Sequence, residues 1–183
     1  MTTQRKNPVV EDSGQALVEL ALSVVLLLIL VFGVVDFSRA IYCVQVIKNL
    51  TAEGSSMSSR GTTLSQTAQT VIADAGTNLS LSAKGCVITT SVLNNGNPTN
   101  NLVVTGQASQ GNCLGISSKI GCYPPPASCG PASLPVEAAA ALQANESLYI
   151  TEIFYSYAAV TPIGGLLKNS NILPAQLYDA AYY

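Results

Sequence analysis

The sequence predicts an α+β protein: a long N-terminal helix, its first half able to span a membrane, carrying a small head with a second helix and an antiparallel sheet. Three observations predict it. Ala16 to Val35 is an apolar run in which Glu19 is the only charged side chain. Apolar residues then continue at three- and four-residue steps to about Ser59, the helical period. Beyond residue 85 the pattern changes to short alternating segments divided by Gly-, Asn- and Pro-rich stretches, the period of strands.

The elements follow in chain order. At 1.5 Å per residue, Ala16–Val35 covers about 30 Å, the thickness of the hydrocarbon core of a bilayer. A secretory signal peptide has a shorter apolar region and ends at a small-residue cleavage site. Here "VVDFSRAIYC" continues the run without one, which predicts an anchor spanning about 16–36. A buried core helix is the other reading, but a chain of 183 residues offers too little apolar surface to surround such a run on every side. Phe37, Ala40, Ile41, Val44, Ile47, Leu50 and Met57 carry the helix onward. No Pro interrupts Val9 to Asn97, so one helix from about Gln15 to Ser59 would be roughly 65–70 Å long. Gly61 stops it.

A second amphipathic helix presents Leu64, Ala68, Val71, Ile72, Ala75 and Leu79 on one side, with Thr62 or Thr63 as N-cap and Gly76 or Asn78 near its end. "CVITTSVL" and "NLVVTGQAS" flank the turn-rich "NNGNPTN", predicting a hairpin over 86–109. Residues 111–133 form a Cys/Pro-rich loop, and Pro135 opens a short helix. "SLYITEIFYSYAAV" is the strongest strand, with Leu148, Ile150 and Phe154 on one face and Tyr149, Ile153, Tyr155 and Tyr157 on the other. "AQLYDAAYY" adds a last strand or packs as a tail. Internal repeats are absent.

Composition narrows the function classes. Charged residues are 10% of the chain, against roughly 25% in soluble domains, and the net charge of −2 offers no basic footprint for nucleic acid. There is no His, which removes the commonest general base and zinc ligand. The cysteines lack C-x₂-C spacing, so neither a zinc site nor a redox pair is expected, and the reading is of a non-enzyme without metal or cofactor. Cys86, Cys113, Cys122 and Cys129 lie in the polar, loop-rich part and are expected to form disulfides rather than remain thiols in a reducing compartment. Four cysteines allow three connectivities, and spacing does not choose among them.

The residues around the run resemble a family. "SGQALVELAL" resembles the processing site of type IV prepilins, where a membrane peptidase cuts after a glycine and an acid occupies the fifth mature position. "FGVVDFSRA", "AEGSSMSSRGT" and "LYITEIFYSYAAVTPI" look like the TadE-like minor pilins or pseudopilins of the tight-adherence (Tad, Flp, type IVc) pilus system. The similarity covers most of 13–75 and 147–166 and leaves the cysteine loop unaccounted for. Gln15 stands where many pilins carry an aromatic residue or Met, and Glu11–Asp12 make the leader less basic than usual.

The resemblance implies a leader over 1–14 cut between Gly14 and Gln15, an N-terminal helix over 15–60 and an extracytoplasmic head over 61–183. It implies a structural subunit that takes part in assembly, priming or capping of a pilus for adhesion. The implied partners are the membrane, a prepilin peptidase, the assembly platform and other pilins such as TadF-like subunits and the Flp major pilin. The implied location is the inner membrane, single pass, or the pilus fibre or tip. An uncleaved envelope anchor whose head binds a partner or ligand is the alternative.

Glu19 fits that picture. Cleavage would create a cationic amine at Gln15, about 6 Å along the helix. An intramembrane carboxylate is costly enough to need a partner, and in pilins that partner is the amine of a neighbouring subunit. The competing reading leaves Glu19 hydrated near the headgroups. Lys/Arg counts do not orient the span, because Arg5 and Lys6 precede it while Arg39 and Lys48 follow; an oxidised head favours the extracytoplasmic side. Asp36 and Arg39 mark the far interface. Glu53 and Arg60 share a face and either pair or stay solvated. Six of the eight tyrosines lie between Tyr149 and Tyr183, as half-buried strand positions or as a contact surface.

Overall fold

The computed structural model describes residues 9–97, 101–122, 132–162, 164–165 and 174–183, and for 9–13, 77 and 78 the backbone alone. Its elements in order are α1 (Val9–Ser59), α2 (Leu64–Asp74), α3 (Gly76–Leu79), α4 (Leu81–Lys84), β1 (Gly85–Asn94), β2 (Leu102–Gly111), α5 (Val136–Ala141), β3 (Ser147–Ser156) and β4 (Gln176–Tyr182). The predicted α+β class is what the chain adopts: a long apolar helix, a second helix and a four-stranded antiparallel sheet in the order β2-β1-β3-β4. By contacts the chain divides into two compact units. One takes the described parts of 1–39 and 159–173, the other 40–158 and 174–183.

In the second unit the end of α1 lies on the sheet. Its buried stripe is Ala40, Cys43, Ile47, Leu50, Thr51, Gly54, Ser55 and Ser58, a run of three- and four-residue steps. This differs from the apolar face expected from sequence. Phe37 and Ile41 are exposed, and the seam is finished by small polar residues that an apolar count passes over. Those residues are hydrogen-bonded. The Thr151 N–H donates to Ser55 Oγ at 3.0 Å, and Ser55 donates onward to the Ala181 carbonyl at 2.8 Å. The Thr51 hydroxyl donates to Asp179 at 2.6 Å, and Ser58 donates to Thr67 of α2 at 3.0 Å. Gly54 permits the approach, since a Cβ there would fall 2.9 Å from both Thr151 Oγ1 and a Val71 methyl.

α2 begins where capping chemistry predicts, with the Thr63 side chain accepting from the Gln66 N–H. It buries Thr67, Ala68 and Val71. The predicted helix through Leu79 is broken at Ala75 into α2 and α3, and α4 follows beyond Ser80. Ser80 holds a left-handed conformation, φ 48°, which lets Leu79 and Leu81 both turn inward, each 1% exposed.

The hairpin joins β1 and β2 in register from Cys86–Gly111 to Asn94–Leu102, with a bulge at Ser91/Val92. β3 is one of the two inner strands and is buried on both faces. Its odd residues, Thr151 and Ile153, lie on the helix side. Its even residues, Ile150, Glu152 and Phe154, meet the cysteine loop and α5 on the other. Val92, Leu102, Ile120, Ala132, Leu142 and Ile150 form one cluster there, and Cys86, Ile88 and Phe154 a second. "AQLYDAAYY" is a strand, β4, paired with β3 from Ser156–Gln176 to Ile150–Tyr182.

The close approach at Gly54 sets a first expectation. Gly54→Ala gains up to about 1 kcal/mol of helix propensity, but overpacking costs about 1–3 kcal/mol. The variant should unfold at lower denaturant than the parent in detergent. A higher midpoint would mean that Thr151 and Val71 give way freely.

Candidate functional site

Two sets of residues carry chemistry, one on each unit. The first is α1 from Gly14 to Arg39. Residues 14–31 are all exposed, Leu17 at 67% among them, although the segment is the most apolar of the chain. A helix that leaves this much apolar surface uncovered needs a non-aqueous neighbour. The helix over Gly14–Ser59 is long and apolar enough to cross a membrane by length and composition. Gly14, Gln15 and Glu19 lie together on its exposed first turns. Among the described residues no hydrogen bond or ion pair engages the Glu19 side chain.

Asp36 is the exception on this exposed segment, with 0% of its surface accessible. Its Oδ1 accepts from the N–H groups of Val160 at 3.0 Å and Thr161 at 3.2 Å. Its Oδ2 accepts from the Thr161 hydroxyl. The acid expected merely to mark an interface instead holds a distant turn of its own unit. Arg60 donates to Ser56 Oγ at 2.5 Å, and Glu53 is exposed.

The second set lies on the loop face of the sheet. Cys86 at the start of β1 is disulfide-bonded to Cys113. This chooses a pair that spacing left open. Cys122 forms no disulfide among the described residues, and Cys129 lies outside them. Five residues past Cys113, the loop is gripped again. Glu152 of β3, 0% exposed, accepts from the Ser118 hydroxyl, from the Lys119 N–H at 2.9 Å and from the Tyr178 hydroxyl at 3.1 Å. The Lys119 ammonium sits 3.5 Å above the Tyr178 ring centroid, whose other neighbour is Phe154 at 4.8 Å. Burial, then the Glu152 charge and its hydrogen bond, hold the Tyr178 phenol far above the ordinary tyrosine range. Burial, Glu152 and Asp179 raise Tyr182 as well.

Sequence reading passed over Glu152, yet the signal was present. An acid stands among Leu148, Ile150 and Phe154 on one face of a strand, the same anomaly that drew notice to Glu19. The C-terminal tyrosines divide: Tyr155 and Tyr157 are buried, Tyr149, Tyr178 and Tyr182 half-buried, and Tyr183 exposed. Two shallow grooves of about 320 and 390 Å³ flank Tyr182. Among the described residues no three His, Cys, Asp or Glu side chains gather to hold a metal ion.

The disulfide closes 27 residues, so Cys86→Ser with Cys113→Ser should cost on the order of 3.5 kcal/mol by the chain-entropy relation. Urea unfolding with and without reductant checks it, and coincident curves would count against the bond. The tyrosines set a pH expectation. A phenol with a raised folded pKa adds stability below its unfolded pKa, about 10, and that stability is lost as pH rises toward the folded value. Stability should therefore fall above about pH 10, and Tyr178→Phe should make the fall shallower.

Residues 14–56 match the family model described as TadE-like protein. No curated protein and no solved structure matches the chain. The matched stretch holds the Gly14–Gln15 junction, Glu19, Asp36 and most of the helical seam, and it meets the resemblance read from sequence. The head beyond Ser56 lies outside it.

Proposed function

We propose that the chain is a minor pilin or pseudopilin: a structural subunit, not an enzyme, that joins a Tad-type pilus at assembly, priming or capping. The observation that carries this reading is Glu19. It stands in a TadE-like segment, exposed in an otherwise uncharged apolar run, four residues from the Gly14–Gln15 junction. Residues 1–14 are the leader in this reading, 15–60 the helix with its span at about 16–36, and 61–183 the head.

The steps follow from charge. A prepilin peptidase cuts after Gly14 and frees the Gln15 amine. In the membrane that cation and the Glu19 carboxylate of a neighbouring subunit each lower the other's cost. Pairing sets axial register. The partners on this reading are TadF-like subunits, the Flp major pilin and the assembly platform. The Cys86–Cys113 bond supports an extracytoplasmic head, since disulfides persist in oxidising compartments. On this reading the chain sits in the inner membrane or, after assembly, in the fibre or tip.

A second reading has its own observation. α1 is helical from Val9 to Ser59, straight through the junction, and a peptide bond inside a helix has to unwind before a protease can take it. An uncleaved anchor whose head binds a partner keeps that helix whole. Intact mass from the native membrane separates the two: a mature chain beginning at Gln15 supports the pilin, and retention of Met1–Gly14 in cells with an active peptidase supports the anchor.

Glu19→Ala should insert normally, because removing an ionisable group from a span makes insertion more favourable by up to about 3 kcal/mol. Cleavage should persist. Co-purification with other pilus subunits and piliation should be lost, with Glu19→Asp between the two. Normal piliation by Glu19→Ala would return Glu19 to a hydrated interfacial carboxylate.

A further inference from the structure

We propose that the turn of Ala159–Pro162 and Gly164, held by Asp36, lies in the headgroup layer of the bilayer as a second membrane contact beside α1. The proposal rests on α1 being a membrane span and concerns a different part of the chain. It starts from the burial of Asp36. Val34, Val35, Phe37, Ser38 and Arg39 around it are all exposed, so the helix itself does not cover the carboxylate. The turn does. Three donors, the N–H groups of Val160 and Thr161 and the Thr161 hydroxyl, close over it.

The turn is tight enough to hold its place. The Gly164 N–H donates to the Thr161 carbonyl at 3.0 Å. A Cβ on Gly164 would fall 2.1 Å from the Ala159 Cβ and 3.0 Å from Asp36 Oδ2. No side chain fits there, and the absence of one lets the backbone fold over the acid.

Depth follows from helix geometry. From Ala16 to Asp36 is about 30 Å at 1.5 Å per residue, the hydrocarbon thickness. With Ala16 at one boundary, Asp36 stands at the other, and whatever it grips stands there too. The chemistry of the gripped segment suits that level. No charged residue occurs between Glu152 and Lys168, and Val160 is 59% exposed beside a helix whose Val34 and Phe37 are exposed as well. Irregular backbone facing lipid is not tolerated in the hydrocarbon core, where its polar groups would go unpaired. In the interface water satisfies them while apolar side chains enter the acyl boundary. The occupant of this surface is therefore lipid.

The chain has no Trp, so a single introduced indole reports alone. Full-length Val160→Trp and Leu27→Trp are each placed in vesicles of phosphatidylcholine and phosphatidylglycerol carrying nitroxides near the headgroup or near the chain end. Val160→Trp should emit to the blue of N-acetyltryptophanamide in water. It should be quenched about twofold or more by the shallow nitroxide and less by the deep one, as an interfacial residue is. Leu27→Trp, at mid-span, should show the reverse preference. Val160→Trp with the emission and quenching of an indole in water, beside a quenched Leu27→Trp, overturns the proposal and leaves the anchor standing. Two unquenched indoles overturn the anchor and the proposal with it. Adding Asp36→Ala to Val160→Trp should lower its shallow quenching, and Thr161→Ala, which keeps the acid and removes one donor, should lower it less. Quenching unchanged in both would show that Asp36 does not hold the turn at the membrane.

Discussion

A serine hydroxyl standing in a strand ladder holds the second unit together. Thr151 and Ala181 are partners across β3 and β4, and Ser55 of α1 takes the N–H of one and gives to the C=O of the other. The helix is thereby bonded into the sheet as well as packed on it. A buried backbone pair left open at this point would cost roughly 1–3 kcal/mol for each group, so the geometry is strongly preferred. Thr51, one turn earlier, fixes β4 through Asp179, and Gly54 supplies the room. With one face of the sheet occupied in this way, the cysteine loop has the other face to cover.

The same economy governs the acids. A carboxylate removed from water has to find donors or stay ionised at high cost. Asp179 finds Thr51, Glu152 finds the loop and Tyr178, and Asp36 finds the turn at 160–161. Glu19 differs. It is exposed on the most apolar stretch, and in a bilayer that exposure is not to water. There its partner has to come from the headgroups or from another chain.

How much of this was legible in the sequence follows the kind of signal each element leaves. The long apolar helix, the Thr63 cap, the hairpin and β3 announce themselves through apolar period, capping chemistry and turn residues, and each stands as expected. The helical seam was misjudged because apolar periodicity counts Phe37 and Ile41 and ignores Thr51, Ser55 and Ser58, small polar residues whose burial depends on partners in other elements, more than a hundred residues away for Thr51 and Ser55. Leu79 sat on the predicted face and the helix is interrupted at Ala75, beside the Gly76 expected near its end, whereas the left-handed Ser80 beyond it leaves no pattern. The Cys86–Cys113 pairing needed three-dimensional proximity. Glu152 and the clamp by Asp36 were visible only as misplaced charges.

Those two clamps follow one plan. The loop after β2 and the turn after β3 lack regular hydrogen bonding of their own, and their backbone donors need acceptors wherever water is excluded. In both places an acid on a regular element supplies them. Glu152 takes a serine hydroxyl and the following N–H, and Asp36 takes a threonine hydroxyl, its own N–H and the preceding one. Charge-assisted bonds of this kind are about twice as strong as neutral ones, and two oxygens shared among three donors fix direction as well as distance. A Ser-, Gly- and Pro-rich segment buries too little apolar surface to be held by packing. A carboxylate, with a disulfide added in the longer loop, does that work with few residues, and it explains why a chain so poor in charge buries Asp36 and Glu152 where charge is most expensive.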